Sequence, residues 1–255
     1  MTIAPSSTLF IPRADGIELA YRYHAAPAGA PTLVFLPGYM SDMAGSKATA
    51  LYDWAAANGH GCLLLDYAGC GESEGAFRDG TLTSWRDDVL AVVDAVLGDD
   101  DPIIVIGSSM GGWLMLLVAL ALPGRVQALV GIAAAPDFTD WGFDEDQKAL
   151  FRAGQTLEEP SDYSDEPYVT TADFWASGEA NRMLEGEIAF DGPVRLIHGQ
   201  SDPDVPWEVS LTLAAALRSS DVQTRLIKDG DHRLSRDGDI QILLGTVADL
   251  LTRIG

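Results

Sequence analysis

Five short segments of the chain are apolar at nearly every consecutive position, and stretches with helical spacing separate them. The segments are Thr32–Leu36, Cys62–Leu65, Ile103–Ile106, Ala128–Ile132 and Val194–Ile197. A strand that is apolar on consecutive positions is buried on both faces, as in a parallel sheet between two layers of helices. The alternation therefore predicts an α/β fold with a mostly parallel central sheet flanked by helices.

Further patterns predict strands at the margins of this sheet. Leu9–Ile11 and Glu18–Tyr23 are typical of an antiparallel hairpin, and Val222–Lys228 alternates apolar and polar residues. Alternation indicates a strand with one polar face. We therefore expect Val222–Lys228 to lie nearer an edge of the sheet than the five apolar strands.

One long segment interrupts the rhythm of strands and helices. Asp137–Asp191 has 55 residues, with several aromatic side chains, many acids and no convincing strand. A structureless loop of that length is improbable inside a compact domain. We therefore predict a helical cap, or lid, at 137–191, inserted into a core formed by residues 1–136 and 192–255. The alternative is an ordinary crossover connection with a long loop.

The chain contains two matches to G-x-S-x-G, the pattern of a turn that exposes a nucleophilic serine. Gly107–Gly111 follows an apolar strand and leads into an apolar helical run, whereas Gly71–Gly75 has loop residues on both sides. Because the nucleophile sits on a sharp strand-to-helix turn, context decides between the two matches. The prediction is Ser109 as the nucleophile and no catalytic role for Ser73.

A serine hydroxyl needs a base to remove its proton. Triads built on this kind of turn run along the chain in the order serine, acid, histidine. Of the four histidines, His232 lies in a loop after the last predicted strand, so it is the predicted base. The predicted acid is Asp202, directly after the preceding strand, with Asp204 as the alternative. His198 precedes both acids and is interpreted as a structural residue beneath the site.

Acyl transfer also needs hydrogen-bond donors for the oxyanion of the tetrahedral intermediate. The N–H of Met110, directly after the nucleophile, is one candidate. The second is the N–H of Tyr39, in a turn after the first apolar strand where Gly38 permits close approach. These groups suffice for acyl chemistry, so we expect no metal and no cofactor.

The chain carries 38 acidic and 16 basic residues, a formal net charge of −22. A nucleic-acid-binding surface requires clusters of Lys and Arg, so no nucleic-acid partner is expected. Fifteen of the acids and three of the bases lie in Asp137–Asp191. This concentration favours a lid whose field repels anionic substrates, whereas the simpler interpretation is a solvated helical surface.

Three features bear on where the protein works. The longest apolar run, Trp113–Leu122, has 10 residues, fewer than the roughly 20 needed to cross a bilayer. The two cysteines, Cys62 and Cys70, are few enough to favour a reducing compartment. Met1–Arg13 has no signal-peptide pattern. We therefore expect a cytoplasmic protein without a membrane span.

The serine turn, the acid and the histidine together resemble those of α/β-hydrolase-fold serine hydrolases. More narrowly, the chain is similar to the family of mitochondrial palmitoyl-protein thioesterases that also cleave mycophenolic acid acyl-glucuronide. The stretches that carry this similarity are Phe35–Tyr39, Ser84–Leu90, Gly107–Leu116, Val205–Trp207 and Gly230–Arg233. The resemblance covers most of the chain and is weakest in the proposed cap.

The resemblance implies an α/β-hydrolase fold with Ser109, Asp202 and His232 as the triad, and S-acyl cysteines and acyl-glucuronides as substrate classes. Because no transit peptide is apparent, we expect a bacterial relative. The chain is then a serine carboxylic ester or thioester hydrolase that forms an acyl-enzyme on Ser109. Its substrate would be a small-molecule acyl ester or thioester, or an S-acylated protein. An acyltransferase or a peptidase would share these motifs, and a non-catalytic binding protein would normally have lost one of the three side chains.

Overall fold

The computed structural model describes residues 7–160 and 167–254. Eight of the strands in these residues form one central sheet: β1 (Leu9–Pro12), β2 (Glu18–His24), β3 (Thr32–Leu36), β4 (Gly61–Leu65), β5 (Ile103–Ser108), β6 (Val126–Ile132), β9 (Val194–Gly199) and β10 (Val222–Ile227). Two shorter strands, β7 (Leu157–Glu159) and β8 (Tyr168–Thr170), form a separate antiparallel pair.

The central sheet runs in the order β1-β2-β4-β3-β5-β6-β9-β10. Neighbouring strands are parallel from β4 to β10, whereas β2 pairs antiparallel with both β1 and β4. Every strand predicted from the sequence is present, with ends that differ by at most two residues, and β10 lies at an edge as expected. The predicted α/β fold class is confirmed.

Helices cover both faces of the sheet. On one face lie α1 (Ser46–Asn58) and α8 (Asp237–Ile254), and on the other lie α2 (Leu82–Val96), α3 (Met110–Ala121) and α7 (Glu208–Ala216). In β3, Leu33 and Phe35 pack with the first group, while Val34 and Leu36 pack with the second. A strand covered on both sides has no polar face, which explains its uninterrupted apolar sequence. Within the described ranges, no helix is long and apolar enough to span a membrane.

The segment 137–191 connects β6 to β9. It contains α4 (Phe138–Trp141), α5 (Glu145–Arg152), the pair β7 and β8, and α6 (Ala172–Ala180), while its residues 161–166 lie outside the described part of the chain. The expectation of a segment without strands is therefore wrong. Strands of three residues are too short to show the alternation by which a strand is recognised. The division of the chain into core and cap stays a prediction.

Polar contacts fix this segment against the helix α3. The buried carboxylate of Asp137 accepts hydrogen bonds from the N–H groups of Met183 and Leu184, at 3.0 and 2.9 Å. The indole N–H of Trp113, in α3, donates to the carbonyl of Asn181 at 3.2 Å. The Asp137 carboxylate thereby joins the start of this segment to the residues that follow α6, and Trp113 joins those residues to α3.

Candidate active site

Ser109 occupies the sharp turn between β5 and α3. Its backbone is in the left-handed region, with φ 54° and ψ −120°, which is costly for a residue with a side chain. Gly107 and Gly111, on either side of Ser109, must be glycine because neighbouring backbone atoms leave no room for a Cβ. A Cβ on Gly107 would lie 2.1 Å from the carbonyl oxygen of Gly111, and one on Gly111 would lie 2.2 Å from that of Leu36. The G-x-S-x-G spacing is therefore dictated by packing against β3 and within the turn itself.

Two loops at the same edge of the sheet bring the other predicted residues to Ser109. Asp202 follows β9, and His232 lies between β10 and α8. Nε2 of His232 is 3.1 Å from Oγ of Ser109, and its Nδ1 is 2.9 Å from Oδ2 of Asp202. Because the carboxylate oxygen can only accept, Nδ1 carries the proton and Nε2 is left to accept one from the serine hydroxyl. The structure brings these three predicted residues together in one hydrogen-bonded line.

The carboxylate of Asp202 is buried and well supplied with donors. Its Oδ1 accepts from the N–H groups of Asp204 and Val205, both at 2.9 Å. Burial by itself would raise the pKa of Asp202, but hydrogen bonds from His198 and His232 outweigh it and hold that pKa well below its usual range. Asp202 therefore stays ionised beside His232. Asp204, the alternative acid, donates its backbone N–H to Asp202 and is itself exposed to solvent.

His198, which the sequence predicts to be a structural residue, lies in direct contact with the Asp202 carboxylate. It is fully buried at the end of β9, and its Nε2 is 3.2 Å from Oδ2 of Asp202. Sequence reasoning excluded His198 as the base because of chain order, and that argument says nothing about contact with the acid.

The two predicted oxyanion donors adjoin the nucleophile. A Cβ built on Gly38 would lie 3.3 Å from Cβ of Ser109, so the turn after β3 passes directly beside the serine. In the described part of the chain, the N–H groups of Tyr39 and Met110 have no hydrogen-bond acceptor. Donors of this kind are available to an oxyanion. Their role in the reaction stays a prediction.

Ser73, in the second G-x-S-x-G match, has a structural environment. Its hydroxyl donates to the carbonyl oxygen of Asp66 at 2.7 Å and accepts from the N–H of Ala20 at 2.8 Å. The bond to Asp66 closes the loop after β4 on itself, and the bond from Ala20 ties that loop to the strand β2. The hydroxyl is thus engaged with backbone groups on both sides, in agreement with the loop context of the motif.

A cavity of about 610 Å³ has Ser109 and His232 in its lining. Part of the lining is apolar and aromatic, and the segment 137–191 contributes four aromatic side chains to it: Phe138, Trp141, Phe143 and Tyr168. The sequence contained these aromatic residues, but no pattern indicated which of them would face the cavity. Apolar walls of this kind accept a hydrocarbon group, with a few polar groups at one end to orient it.

The charges at this cavity are of both signs. Asp42, Glu159 and Asp204 line it, and so do Lys47 and Arg233. Of the described acids in 137–191, Glu159 alone lines the cavity, and Arg182 pairs with three others: Asp140, Glu179 and Glu185. Most of the described acids of the segment therefore lie away from the cavity lining, and the effect of the lid's charge on anionic substrates stays a prediction.

Lys47 is a residue that sequence reasoning did not single out. Its ammonium donates a hydrogen bond to the carbonyl oxygen of Arg233, the residue after His232. Burial lowers the pKa of Lys47 to about 8. The first turn of α1 is thus joined to the loop that carries the histidine, a contact between residues 186 positions apart.

One group of described residues has the composition of a metal site. Asp202, Asp204 and His232 offer ligand atoms that lie within 4.8 Å of one another. The side chains of Asp202 and His232 are already hydrogen-bonded to each other, and Nε2 of His232 faces a hydroxyl. This arrangement suits proton transfer between the serine and the histidine better than it suits a cation.

Comparison with known proteins gives close relatives over nearly the whole chain. Human palmitoyl-protein thioesterase ABHD10, a mitochondrial protein, is 38% identical over 253 residues, which cover 98% of this chain and 81% of the relative. The structure of mouse alpha/beta hydrolase domain-containing protein 10 matches with a TM-score of 0.90 and 36% identity, over 98% of this chain and 100% of the other. A putative hydrolase from Agrobacterium vitis S4 matches with a TM-score of 0.89 and 37% identity, over 97% of this chain and 100% of the other.

These relatives correct the predicted location. The expectation of a cytoplasmic protein is contradicted, because the human, mouse and bovine relatives are named as mitochondrial proteins. The expectation relied in part on cysteine content. Cys62 and Cys70 are free and buried, which suits any compartment that keeps thiols reduced and does not distinguish one such compartment from another.

The predicted family is confirmed by an independent comparison. The family model described as the alpha/beta hydrolase family matches residues 33–244, which include the serine turn and the loops that carry Asp202 and His232. The eight-stranded sheet and the relatives above agree with that match. The chain belongs to the alpha/beta hydrolase family.

Proposed function

We propose that this hydrolase cleaves carboxylic esters or thioesters through an acyl-enzyme formed on Ser109. The observation that carries the proposal is the hydrogen-bonded line from Asp202 through His232 to Ser109, which ends in the cavity. A base within hydrogen-bond reach of a hydroxyl, and itself oriented by a buried carboxylate, is the arrangement that activates a serine.

The first half of the reaction forms the acyl-enzyme. Oγ of Ser109 attacks the acyl carbon while Nε2 of His232 takes its proton, and Asp202 stabilises the imidazolium that results. The N–H groups of Met110 and Tyr39 donate to the oxyanion of the tetrahedral intermediate. When the intermediate collapses, the bond to the leaving group breaks, and His232 returns the proton to the departing alcohol or thiol.

The second half releases the acid. Water takes the place of the leaving group, His232 removes a proton from it, and the hydroxide attacks the acyl carbon of the ester on Ser109. The same two N–H groups hold the second oxyanion. Collapse of this intermediate frees the carboxylic acid, and the proton on His232 returns to Oγ of Ser109.

A long apolar acyl group is the substrate that the cavity favours. Phe138, Trp141 and Phe143 give it aromatic walls, and its volume is about 610 Å³. The human relative is named a palmitoyl-protein thioesterase, which supports a fatty acyl thioester, on a small molecule or a protein, as the substrate class. We expect the acyl chain to lie between the serine turn and the segment 137–191, which we propose acts as a cap.

Other reactions would use the same residues. An acyltransferase differs only in that an acceptor other than water resolves the acyl-enzyme, and a peptidase differs in the bond that is cleaved. Product analysis separates these cases, since a transferase yields a new ester or amide when an alcohol or amine is supplied. A binding protein without activity would have no use for a base at 3.1 Å from the serine hydroxyl.

The test is covalent labelling with a fluorophosphonate probe, followed by kinetics. Ser109→Ala is expected to abolish labelling and to lower kcat by at least about 10³-fold. Ser73→Ala, in the second G-x-S-x-G match, is the matched control and should label as the wild type does. Equal labelling of Ser109→Ala and wild type would refute the proposal. A panel of paired oxoesters and thioesters of graded chain length then defines the substrate.

A further inference from the structure

Both ring nitrogens of His198 have polar partners, although the residue is fully buried. Its Nδ1 is 2.7 Å from Oγ of Ser210, in α7. Its Nε2 is 3.1 Å from the carbonyl oxygen of Val205 and 3.2 Å from Oδ2 of Asp202. A histidine that only filled space in the core would not require a carboxylate among its neighbours.

The protonation of His198 follows from these partners. Nε2 faces a carbonyl oxygen and a carboxylate oxygen, and neither of them can donate. Nε2 therefore carries a proton and shares it between Val205 and Asp202. In the neutral ring Nδ1 then accepts from the hydroxyl of Ser210, and this bond anchors the ring in the orientation that points Nε2 at Asp202.

The contact completes the set of donors around the Asp202 carboxylate. Oδ1 is held by two backbone N–H groups of the loop, whereas Oδ2 faces two imidazoles, His198 at 3.2 Å and His232 at 2.9 Å. A carboxylate has about four acceptor positions, and here all four are occupied. Without His198, Oδ2 would be oriented by His232 alone, which is the side chain it has to orient.

We propose that His198 is a positioning residue, whose Nε2–H holds Oδ2 of Asp202 where it can orient the imidazole of His232. The proposal rests on the proposed function of Ser109, Asp202 and His232. His198 is suited to this task because it belongs to the strand β9 and is anchored by Ser210 in α7, whereas both His232 and Asp202 lie in loops. In a buried site with no competing water, such a bond is stronger than at the surface.

Two substitutions of His198 separate positioning from simple packing. Glutamine has an amide nitrogen as many bonds from the backbone as Nε2, and can still donate to Asp202. Asparagine matches Nδ1 instead, so it can reach Ser210 but not Asp202. We expect His198→Asn to lower kcat by about 10- to 100-fold with KM within about threefold, the cost of a small misplacement of a reacting group. His198→Gln should recover most of that loss.

A double-mutant cycle links the effect to Asp202. If His198 acts through the carboxylate, His198→Asn should have little further effect on kcat in the Asp202→Asn background. Thermal unfolding of each variant measures any loss of stability separately. Equal kcat for His198→Asn and His198→Gln, or a loss of kcat that persists in the Asp202→Asn background, would overturn the proposal.

Further variants keep the test decisive. Ser210→Ala leaves His198 in place but removes the hydroxyl that anchors its Nδ1. If His198→Asn does not fold, Ser210→Ala takes its place in the test. We expect Ser210→Ala to lower kcat by about two- to fivefold in the wild-type background and to leave kcat unchanged in the Asp202→Asn background. Any other outcome contradicts the proposal. Wild-type kcat in Asp202→Asn and Ser109→Ala would instead refute the proposed function itself.

Discussion

The hydroxyl of Tyr39 donates a 2.5 Å hydrogen bond to the carbonyl oxygen of Val169. Tyr39 belongs to the turn after β3, whose N–H we propose as an oxyanion donor, and Val169 lies in β8 of the segment 137–191. Burial raises the pKa of Tyr39 well above its usual range, so the hydroxyl stays protonated and remains a donor. The bond therefore ties the proposed cap to the proposed oxyanion hole.

This relationship leads to a prediction for Tyr39→Phe. The substitution keeps the ring and the backbone N–H and removes the tie to Val169. We expect a loss of about 1–3 kcal/mol in the free energy of unfolding, because a buried carbonyl is left without its partner. We also expect a lower kcat and a higher KM, since the turn and the strand β8 are no longer held together. Urea unfolding and steady-state kinetics measure the two effects.

Tyr67→Phe is the matched control for that prediction. The buried Tyr67 hydroxyl donates to the carbonyl of Pro37 in the same turn, at 3.0 Å, so this bond does not involve the proposed cap. It should lose similar stability and leave KM unchanged. If the two variants have the same KM, the tie to Val169 does not influence substrate binding.

Much of the site could be predicted from the sequence because its elements are local. The turn at Ser109 is recognisable from the strand before it and the helix after it, and the order of the triad leaves His232 as the base. The small pair β7 and β8 was missed because it joins segments of three residues, one on each side of residues 161–166. No periodic signal exists at that length.

The neighbours of Asp202 could not be predicted, since they depend on how two distant loops pack. The N–H of Ser201 donates to the carbonyl of Gly230 at 2.9 Å, and a Cβ on Gly199 would lie 2.2 Å from that same oxygen. This contact brings the loop with Asp202 against the loop with His232. Chain order identifies the residues, but the backbone path of the loop after β9 decides that His198 also reaches Asp202.

A second prediction concerns Ser73→Ala. This change removes the hydroxyl bonded to the carbonyl of Asp66 and the N–H of Ala20. We expect the free energy of unfolding to fall by about 1–3 kcal/mol, while kcat/KM stays at the wild-type value. Denaturant unfolding and ester hydrolysis check the two halves. Loss of activity in a fully folded variant would contradict the structural role assigned to Ser73.

A third prediction concerns the activity of Asp202→Asn. An amide in place of the carboxylate can donate to Nδ1 of His232 and stabilise the wrong tautomer. We expect kcat to fall on the order of 10³- to 10⁴-fold while the protein stays folded at neutral pH. Asp204→Asn is the matched control, because Asp204 contacts Asp202 through its backbone N–H, and it should keep wild-type kcat. The reverse pattern would make Asp204 the acid.

A fourth prediction concerns how the stability of Asp202→Asn, relative to wild type, depends on pH. The pKa of Asp202 in the folded protein lies below its value of 3.8 in the unfolded chain, so ionised Asp202 stabilises the fold. This contribution is present above about pH 4 and is lost as the pH falls toward the lower pKa of the folded state. The difference in unfolding free energy between wild type and Asp202→Asn should therefore shrink below pH 4. A constant difference from pH 6 to pH 3 would argue against the lowered pKa.

The last prediction concerns Lys47, whose ammonium holds the carbonyl of Arg233 beside His232. Lys47→Met should lower kcat by about tenfold at pH 7, the size expected when a charge-assisted hydrogen bond worth about 1.5 kcal/mol is lost. Because burial lowers the pKa of Lys47 to about 8, the wild-type side chain becomes neutral above that pH and its hydrogen bond weakens. The ratio of wild-type to Lys47→Met kcat should therefore decrease between pH 7 and pH 9.5. Lys47→Arg stays charged throughout and should show no such decrease, whereas a constant wild-type ratio would contradict the role of the ammonium.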